Sequence, residues 1–322
     1  MPQMSRYSYQ PIDPSGIRTR PAAGRTTKVS AEGFARVYQK GSGVIGLFNS
    51  LPGILAGNTF RQVVEAILSA RSRHRPIIWG LGAHVIKCGL NPVLIDLMRR
   101  DFITAIALNG AGAIHDLEIC MTGATSEDVD KELEEGQFGM VQETPLCMNE
   151  AILTGSAKDL GIGESMGCYI LDHADRFPHR DASLLASAYE LRIPVTVHVA
   201  IGTDTVHNHP STDGAALGKT SLQDFRLFTA IVRELDQGGV YLNCGSAVIL
   251  PEVFLKSVSL VRNLGHPLGN FTTVNLDFLQ HYRPCQNVLK RPTSQSGQGL
   301  SLTGHHEILL PLLAATLIES ET

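Results

Sequence analysis

The stretch TAIALNGAGAIHDLE, residues 104–118, decides how the rest of the chain is read. Ile103, Ala105 and Ala107 fall on one face and Ile106 and Leu108 on the other, as in a strand covered on both sides. Five small residues follow, Asn109-Gly110-Ala111-Gly112-Ala113, and these let backbone approach a neighbour closely. His115, Asp116 and Glu118 come next and could bind a ligand or move protons. A nucleotide cradle, a metal site and a tight turn are the three readings of such a strand exit.

Outward from this stretch the same alternation recurs. A strand at Ile77–Leu81 precedes a glycine turn, and a helix starts at Asn91-Pro92, where proline suits the first helical position. Phe60, Val63, Val64, Ile67 and Leu68 have helical spacing behind an Asn/Thr cap. Further strands are expected at Cys168–Leu171, Ile193–Ala200, Val240–Asn243 and Phe271–Val274, besides Ile103–Leu108. Helices are expected at Glu127–Glu135, Asp181–Leu191, Ser221–Leu235, Pro251–Asn263 and Glu307–Glu319. Runs such as VTVHVA and GVYLNC are continuously apolar, the mark of strands with helices on both faces. The expected fold is α/β, a doubly wound, mostly parallel Rossmann-like sheet, with ligands at the C-terminal strand ends. Residues 1–30, rich in Pro, Arg, Ser and Thr, read as a leader or an arm, and 31–322 as one domain.

Composition narrows the function classes. The 322 residues are 43% hydrophobic and 18% charged, with a formal net charge of −4. That balance points away from nucleic acid and from membrane surfaces. The six cysteines form no CxxC pair and sit in or beside apolar runs, as reduced core thiols do. The start, MPQMSRYSYQPIDP, lacks an apolar signal core, and no run reaches the ~20 apolar residues of a membrane span, so a cytoplasmic protein is expected.

Four strand-exit loops carry the chemistry. In WGLGAHVIKCG (79–89), Gly80, Gly82 and Ala83 could admit a phosphate or ribose, aided by the dipole of the next helix. Asn109, Gly110, Ala111 and Gly112 repeat that design one strand later. In HVAIGTDTVHNHPSTDG (198–214), His198, Asp204, His207, His209 and Asp213 crowd together. His207 and His209 would point the same way in an extended loop and, with Asp204, could form a two-histidine, one-carboxylate metal site. In NCGSAVILPE (243–252), backbone N–H groups at Gly245 and Ser246 could hold an anion or a carbonyl.

With these loops in order, the chain resembles the deoxyhypusine synthase family over roughly residues 60–320. IIWGLGAHVIKCGLNPVLIDLMRRDFITAIALNGAGAIHDLEIC is similar to the family's first nucleotide-binding half, and LRIPVTVHVAIGTD to its Ile-Pro-Val strand ending in an aspartate. DFRLFTAIVRELDQGGVYLNCGSAVILPEVFLKSVSLVRN and ILLPLLAATLIE resemble its later elements. The resemblance implies a Rossmann-like NAD-binding fold and a homotetramer with shared active sites. It also implies oxidation of spermidine to an imine carried on a lysine, whose butylamine fragment passes to a protein lysine or another amine. Carried over, Gly82, Ala83, His84 and Asn109 through Gly112 meet the dinucleotide. His115, Asp116 and Glu118 fall near an acidic position, and Asp204 matches the later aspartate.

Departures from the family pattern are pronounced. Ile249–Glu252 stand in place of Lys-His-His, LDFLQHYRPCQNVLKRP replaces the acidic NAD loop, and the Ser-Trp-Gly-Lys motif is missing. Lys290 lies closest to the imine-forming lysine, and SQSGQGLSLTGHHE has no counterpart, leaving His305, His306 and Glu307 for a different site. The expectation is an NAD-binding transferase acting on a small-molecule amine. Asp204, Asp116 and Glu118 would bind cationic substrate or cofactor hydroxyls, His207 or His209 would move protons, and Lys290 would form the imine. The alternatives are a metal-dependent enzyme on His207, His209 and Asp204, with His305 or His306, and a non-catalytic nucleotide-binding relative.

Overall fold

The apolar runs assemble into one six-stranded, all-parallel sheet: β1 (Ile77–Leu81), β2 (Ala105–Asn109), β3 (Val195–His198), β4 (Val240–Cys244), β5 (Thr272–Asp277) and β6 (Gln298–Thr303). A computed structural model describes residues 6–321. The strand order is β3-β2-β1-β4-β5-β6, so the winding reverses between β1 and β4. This is a Rossmann-like sheet, as the sequence implies.

Helices in chain order are α1 (Gly43–Ser50), α2 (Leu55–Ser72), α3 (Ala83–Lys87), α4 (Asn91–Arg99), α5 (Gly110–Thr122), α6 (Val129–Glu134), α7 (Glu143–Ala157), α8 (Ile162–Asp172), α9 (Leu184–Glu190), α10 (Gly214–Arg233), α11 (Ile249–Asn263) and α12 (His306–Glu319). A π-helical segment, Pro284–Lys290, links β5 to β6. Side-chain alternation splits the core in two. Ile77, Trp79, Leu81, Ile106, Leu108, Leu242 and Val274 pack under the face covered by α2, α4, α5, α9 and α12. Ile78, Ala105, Ala107 and Tyr241 pack on the other face with Phe228 of α10 and Phe254 of α11. Gly80 makes that second face possible: a Cβ there would lie 2.6 Å from the Tyr241 hydroxyl. The Tyr241 ring stacks on Phe254 with centroids 3.9 Å apart.

Several elements differ from the sequence expectation, and α1, α3 and α7 form where no helix was expected. The small residues after β2 are no loop, because Asn109 caps α5 directly, its Oδ1 accepting the Gly112 N–H at 3.0 Å. Cys168–Leu171, expected as a strand, is the end of α8. Gly163 and Gly167 of α8 let that helix lie against the start of β3 and against α9, for a Cβ would fall 2.0 Å from the Val195 carbonyl oxygen and 2.7 Å from that of Leu185. The polar insert after Lys290 contains edge strand β6, whose Leu300 and Leu302 are buried while Gln298, Ser301 and Thr303 are exposed.

At the switch point the β1 and β4 exits close on each other. The Gly82 N–H donates to the Cys244 carbonyl at 2.8 Å, and a Cβ on Gly82 would lie 2.1 Å from the Gly245 carbonyl oxygen. Backbone cannot retreat as a flexible side chain can. Gly82→Ala is therefore expected to lower stability by about 2–3 kcal/mol, as overpacking does. Gly218→Ala, on an exposed part of α10 with nothing within 4 Å, should leave stability unchanged or raise it. Urea denaturation of both variants checks the contrast. Among the described residues, no helix is long and apolar enough to cross a membrane.

Candidate functional site

Once the residues after Asn109 are helical, α5 acquires two functional stripes. Gly112, Ala113, Asp116, Leu117 and Cys120 face the core. Ala111, Ile114, His115 and Glu118, at i, i+3, i+4 and i+7, line a cavity of about 190 Å3 at the C-terminal edge of the sheet. Its other walls include Lys87 from the end of α3, Glu127, Phe138 and Thr144, and Asp204 and Thr205 from the β3 exit. A neighbouring hollow of about 540 Å3 shares Glu118, Ser126, Glu127, Val141 and Thr144 with it and adds Glu143. The carboxylates outnumber the single lysine, so the surface suits a cation.

Asp204 is the centre of this arrangement. Its carboxylate lies at the start of α5, and a Cβ on Gly110 would be 2.1 Å from Asp204 Oδ2. Burial pushes the carboxyl up to about 6, against the opposing pull of the Ala111 N–H. Oδ2 is buried and has no hydrogen-bond partner. The end of α5 thus already faces an anion, the position where a helix dipole would favour a phosphate. Glu118, two turns further along α5, is held by the Thr125 hydroxyl and by His115, whose Nδ1 is 3.5 Å away. Burial works to raise the Glu118 carboxyl, but the contacts from His115, Thr125 and Ser126 leave it below its usual value.

The structure separates other residues expected at the site. Asp116 is fully buried and turned under the start of α9, where it accepts from Ser183 Oγ at 2.5 Å, Leu184 N at 2.7 Å, Leu185 N at 3.1 Å and Asn91 Nδ2 at 2.9 Å. It is a capping residue, and no ligand contact is left to it. Lys290 is exposed at the opposite edge of the sheet. The π-helical segment runs back from the end of β5, so that the Leu289 carbonyl meets Gly299, which pairs with Thr273 near the start of β5. Within one chain Lys290 is therefore remote from Asp204, and the lysine that lines the cavity is Lys87, which the sequence reading passed over.

His207 and His209 sit on and just after a short 3₁₀ turn, Thr205–Asn208, not on an extended loop, and they do not converge with Asp204. His207 Nδ1 accepts from the Gly202 N–H at 3.2 Å, while His209 Nδ1 lies 2.8 Å from Ser211 Oγ. Among the described residues, the only three His, Cys, Asp or Glu donors within 4.8 Å of one another are His84, Cys88 and Glu307. The two-histidine, one-carboxylate metal site is thus not formed. His198 is buried against Phe228 and kept neutral, its pKa lowered to about 3 by burial. Asp213 caps α10.

The glycines offered as a phosphate cradle are met by the chain's own atoms. Gly82 abuts Gly245, Gly110 abuts Asp204, and a Cβ on Gly245 would lie 3.1 Å from the His306 ring. Ser246 is buried and its Oγ accepts from the Leu250 N–H at 3.2 Å, anchoring the start of α11. Ala83 is half-buried, and His84 is exposed beside Phe278.

No family model matches the sequence, and no curated protein matches it. Solved structures do share the fold. A putative deoxyhypusine synthase from Entamoeba histolytica is 13% identical, with 89% of this chain and 96% of that one covered at a TM-score of 0.51. A conserved putative LOR/SDH protein from Methanococcus maripaludis S2 is 15% identical, with 83% and 70% covered at 0.52. The ternary complex of AgrE with ornithine and NAD+ is 14% identical, with 81% and 33% covered at 0.50, so this chain spans about a third of AgrE. What these structures and this chain share is the fold, an α/β architecture with a Rossmann-like parallel sheet.

Proposed function

We propose that the chain is an amine-binding enzyme, a deoxyhypusine synthase-like transferase that takes a polyamine or related amine into the acidic cavity. The observation that carries this is the buried Asp204, whose Oδ2 has no partner and which lines one cavity with Glu118 and Glu127 at the C-terminal edge of the sheet. A buried carboxylate oxygen without a donor is costly, and an ammonium group supplies the missing donor. The adjoining hollow with Glu143 extends the acidic surface in a way that suits a second cationic group. The proposed reaction is oxidation of the amine to an imine and transfer of its alkylamine fragment, with Lys87 as the lysine that would carry it. NAD is proposed as oxidant because AgrE, solved with ornithine and NAD+, shares the fold.

One observation favours a second reading, an amine-binding relative without redox turnover. The backbone at Gly82, Gly110 and Gly245 is taken up by internal contacts and is not free for a pyrophosphate. Incubation with NAD and either spermidine or ornithine, followed by borohydride, separates the two. Turnover predicts NADH absorbance and a trapped adduct that disappears in Lys87→Arg and persists in Lys290→Arg. Amine binding with neither NADH nor adduct selects the second reading.

A further inference from the structure

The β1 exit carries a second cluster outside the amine cavity. His84 and Cys88 are four residues apart, His84 on α3 and Cys88 as its C-terminal cap, so their side chains project to the same side. Glu307, in the first turn of α12, reaches them from across the edge, with Oε2 3.6 Å from Cys88 Sγ. One imidazole nitrogen, one sulfur and one carboxylate oxygen lie within 4.8 Å of one another. That mixture of donors is the set a zinc-class ion takes, and three protein ligands leave an open position for water or a small ligand.

The neighbouring residues strengthen the case. His306 is fully buried and sits 5.8 Å, ring to ring, from His84. Its Nε2 lies 3.2 Å from the Leu276 carbonyl oxygen, which places the ring proton on Nε2 and leaves Nδ1 a bare acceptor. Nδ1 is buried and has no partner, so the fold holds an unpaired nitrogen beside the cluster. Phe278 lies edge-on to His84 at 5.9 Å and to His306 at 6.2 Å, so the three rings pack as one group.

We infer that His84, Cys88 and Glu307 form a binding site for one zinc-class divalent ion, bridging α3 to α12 at the C-terminal edge of the sheet. Loading the site replaces the Cys88 thiol proton by metal and releases that proton to solvent. Because α3 is short and also supplies Lys87, the ion would brace one wall of the amine cavity from outside. The site does not depend on amine binding and can be tested without it.

The test uses the full-length protein stripped with chelator and titrated with Co2+, then with Zn2+ in competition. One equivalent of cobalt should bind and produce a thiolate-to-cobalt charge-transfer band together with the strong visible bands of a four-coordinate ion, and zinc should bleach both. Cys88→Ser should abolish the charge-transfer band. Glu307→Gln, an exposed change that leaves the core untouched, should weaken cobalt binding by at least about 100-fold, more than loss of a supporting hydrogen bond costs a metal site. Cys285→Ser should change nothing. Zinc should also raise the melting temperature of the wild type and not of Glu307→Gln. Absence of stoichiometric cobalt binding, or a thiolate band that survives in Cys88→Ser, would overturn the site.

Discussion

Exchange of Asp204 for asparagine is expected to weaken binding of a cationic amine about 10- to 100-fold while leaving the fold intact. A hydrogen bond to a charged group contributes about 1.5–3 kcal/mol, and 1.36 kcal/mol is tenfold. Asparagine keeps the shape and an acceptor oxygen for the Ala111 N–H but removes the negative charge of this cavity-lining carboxylate. The loss should appear in the dissociation constant and not in the melting temperature. Acid should mimic the substitution. The Asp204 carboxyl is pushed up to about 6 by burial, so it is charged above that pH and takes a proton below it. Ammonium groups remain charged throughout this range. Amine affinity in the wild type should therefore fall as the pH drops through about 6 and stay flat in Asp204→Asn. An Asp204→Asn protein that binds spermidine as tightly as the wild type would remove this carboxylate from the site.

Asp116→Ala carries the largest expected cost in stability, about 4 kcal/mol. Four donors converge on this buried carboxylate: the Asn91 amide, the Ser183 hydroxyl and the backbone N–H groups of Leu184 and Leu185. Removing it leaves several of them buried without partners, each at about 1–3 kcal/mol before relaxation, and it also deprives α9 of the anion at its start. Urea denaturation should show the midpoint fall with little change in slope. Asp116→Asn should cost less, since it keeps an acceptor. A change of less than about 1 kcal/mol in Asp116→Ala, the range of a single ordinary hydrogen bond, would contradict the capping role. The comparison matters for function, because Asp116 and Glu118 are two residues apart on α5 yet face the core and the cavity respectively.

That divergence shows what the sequence made legible. The sheet was readable because β1, β2, β3 and β4 are continuous apolar runs, which only strands buried on both faces require. Helix α5 was not, because its first turn is glycine and alanine and its buried stripe contains Asp116 in place of an apolar residue. Without the helix, Asp116 and Glu118 read as one acidic patch. Cys168–Leu171 misled by being four apolar residues in a row at the end of a helix whose glycines hide its period. Lys290 ends the π-helical crossover from β5 to β6, and its place in the sequence does not say which edge of the sheet that crossover returns to. The glycines announced close approach correctly, but the partners that approach are Gly245, Asp204 and Tyr241 of the same chain. His84 and Cys88 become an i, i+4 pair only because α3 forms where a glycine turn was expected, and nothing in the sequence brings Glu307 to them.

The most direct measurement is calorimetric titration of the wild type with spermidine at pH 7.5 and again at pH 6, each in two buffers of different ionisation enthalpy. An amine seated on Asp204 should give saturable heat at both values, and at pH 6 binding should release protons, because an ammonium partner lowers the pKa of the carboxyl it meets. No saturable heat at pH 7.5, or binding at pH 6 without proton release, would contradict an amine site built on Asp204.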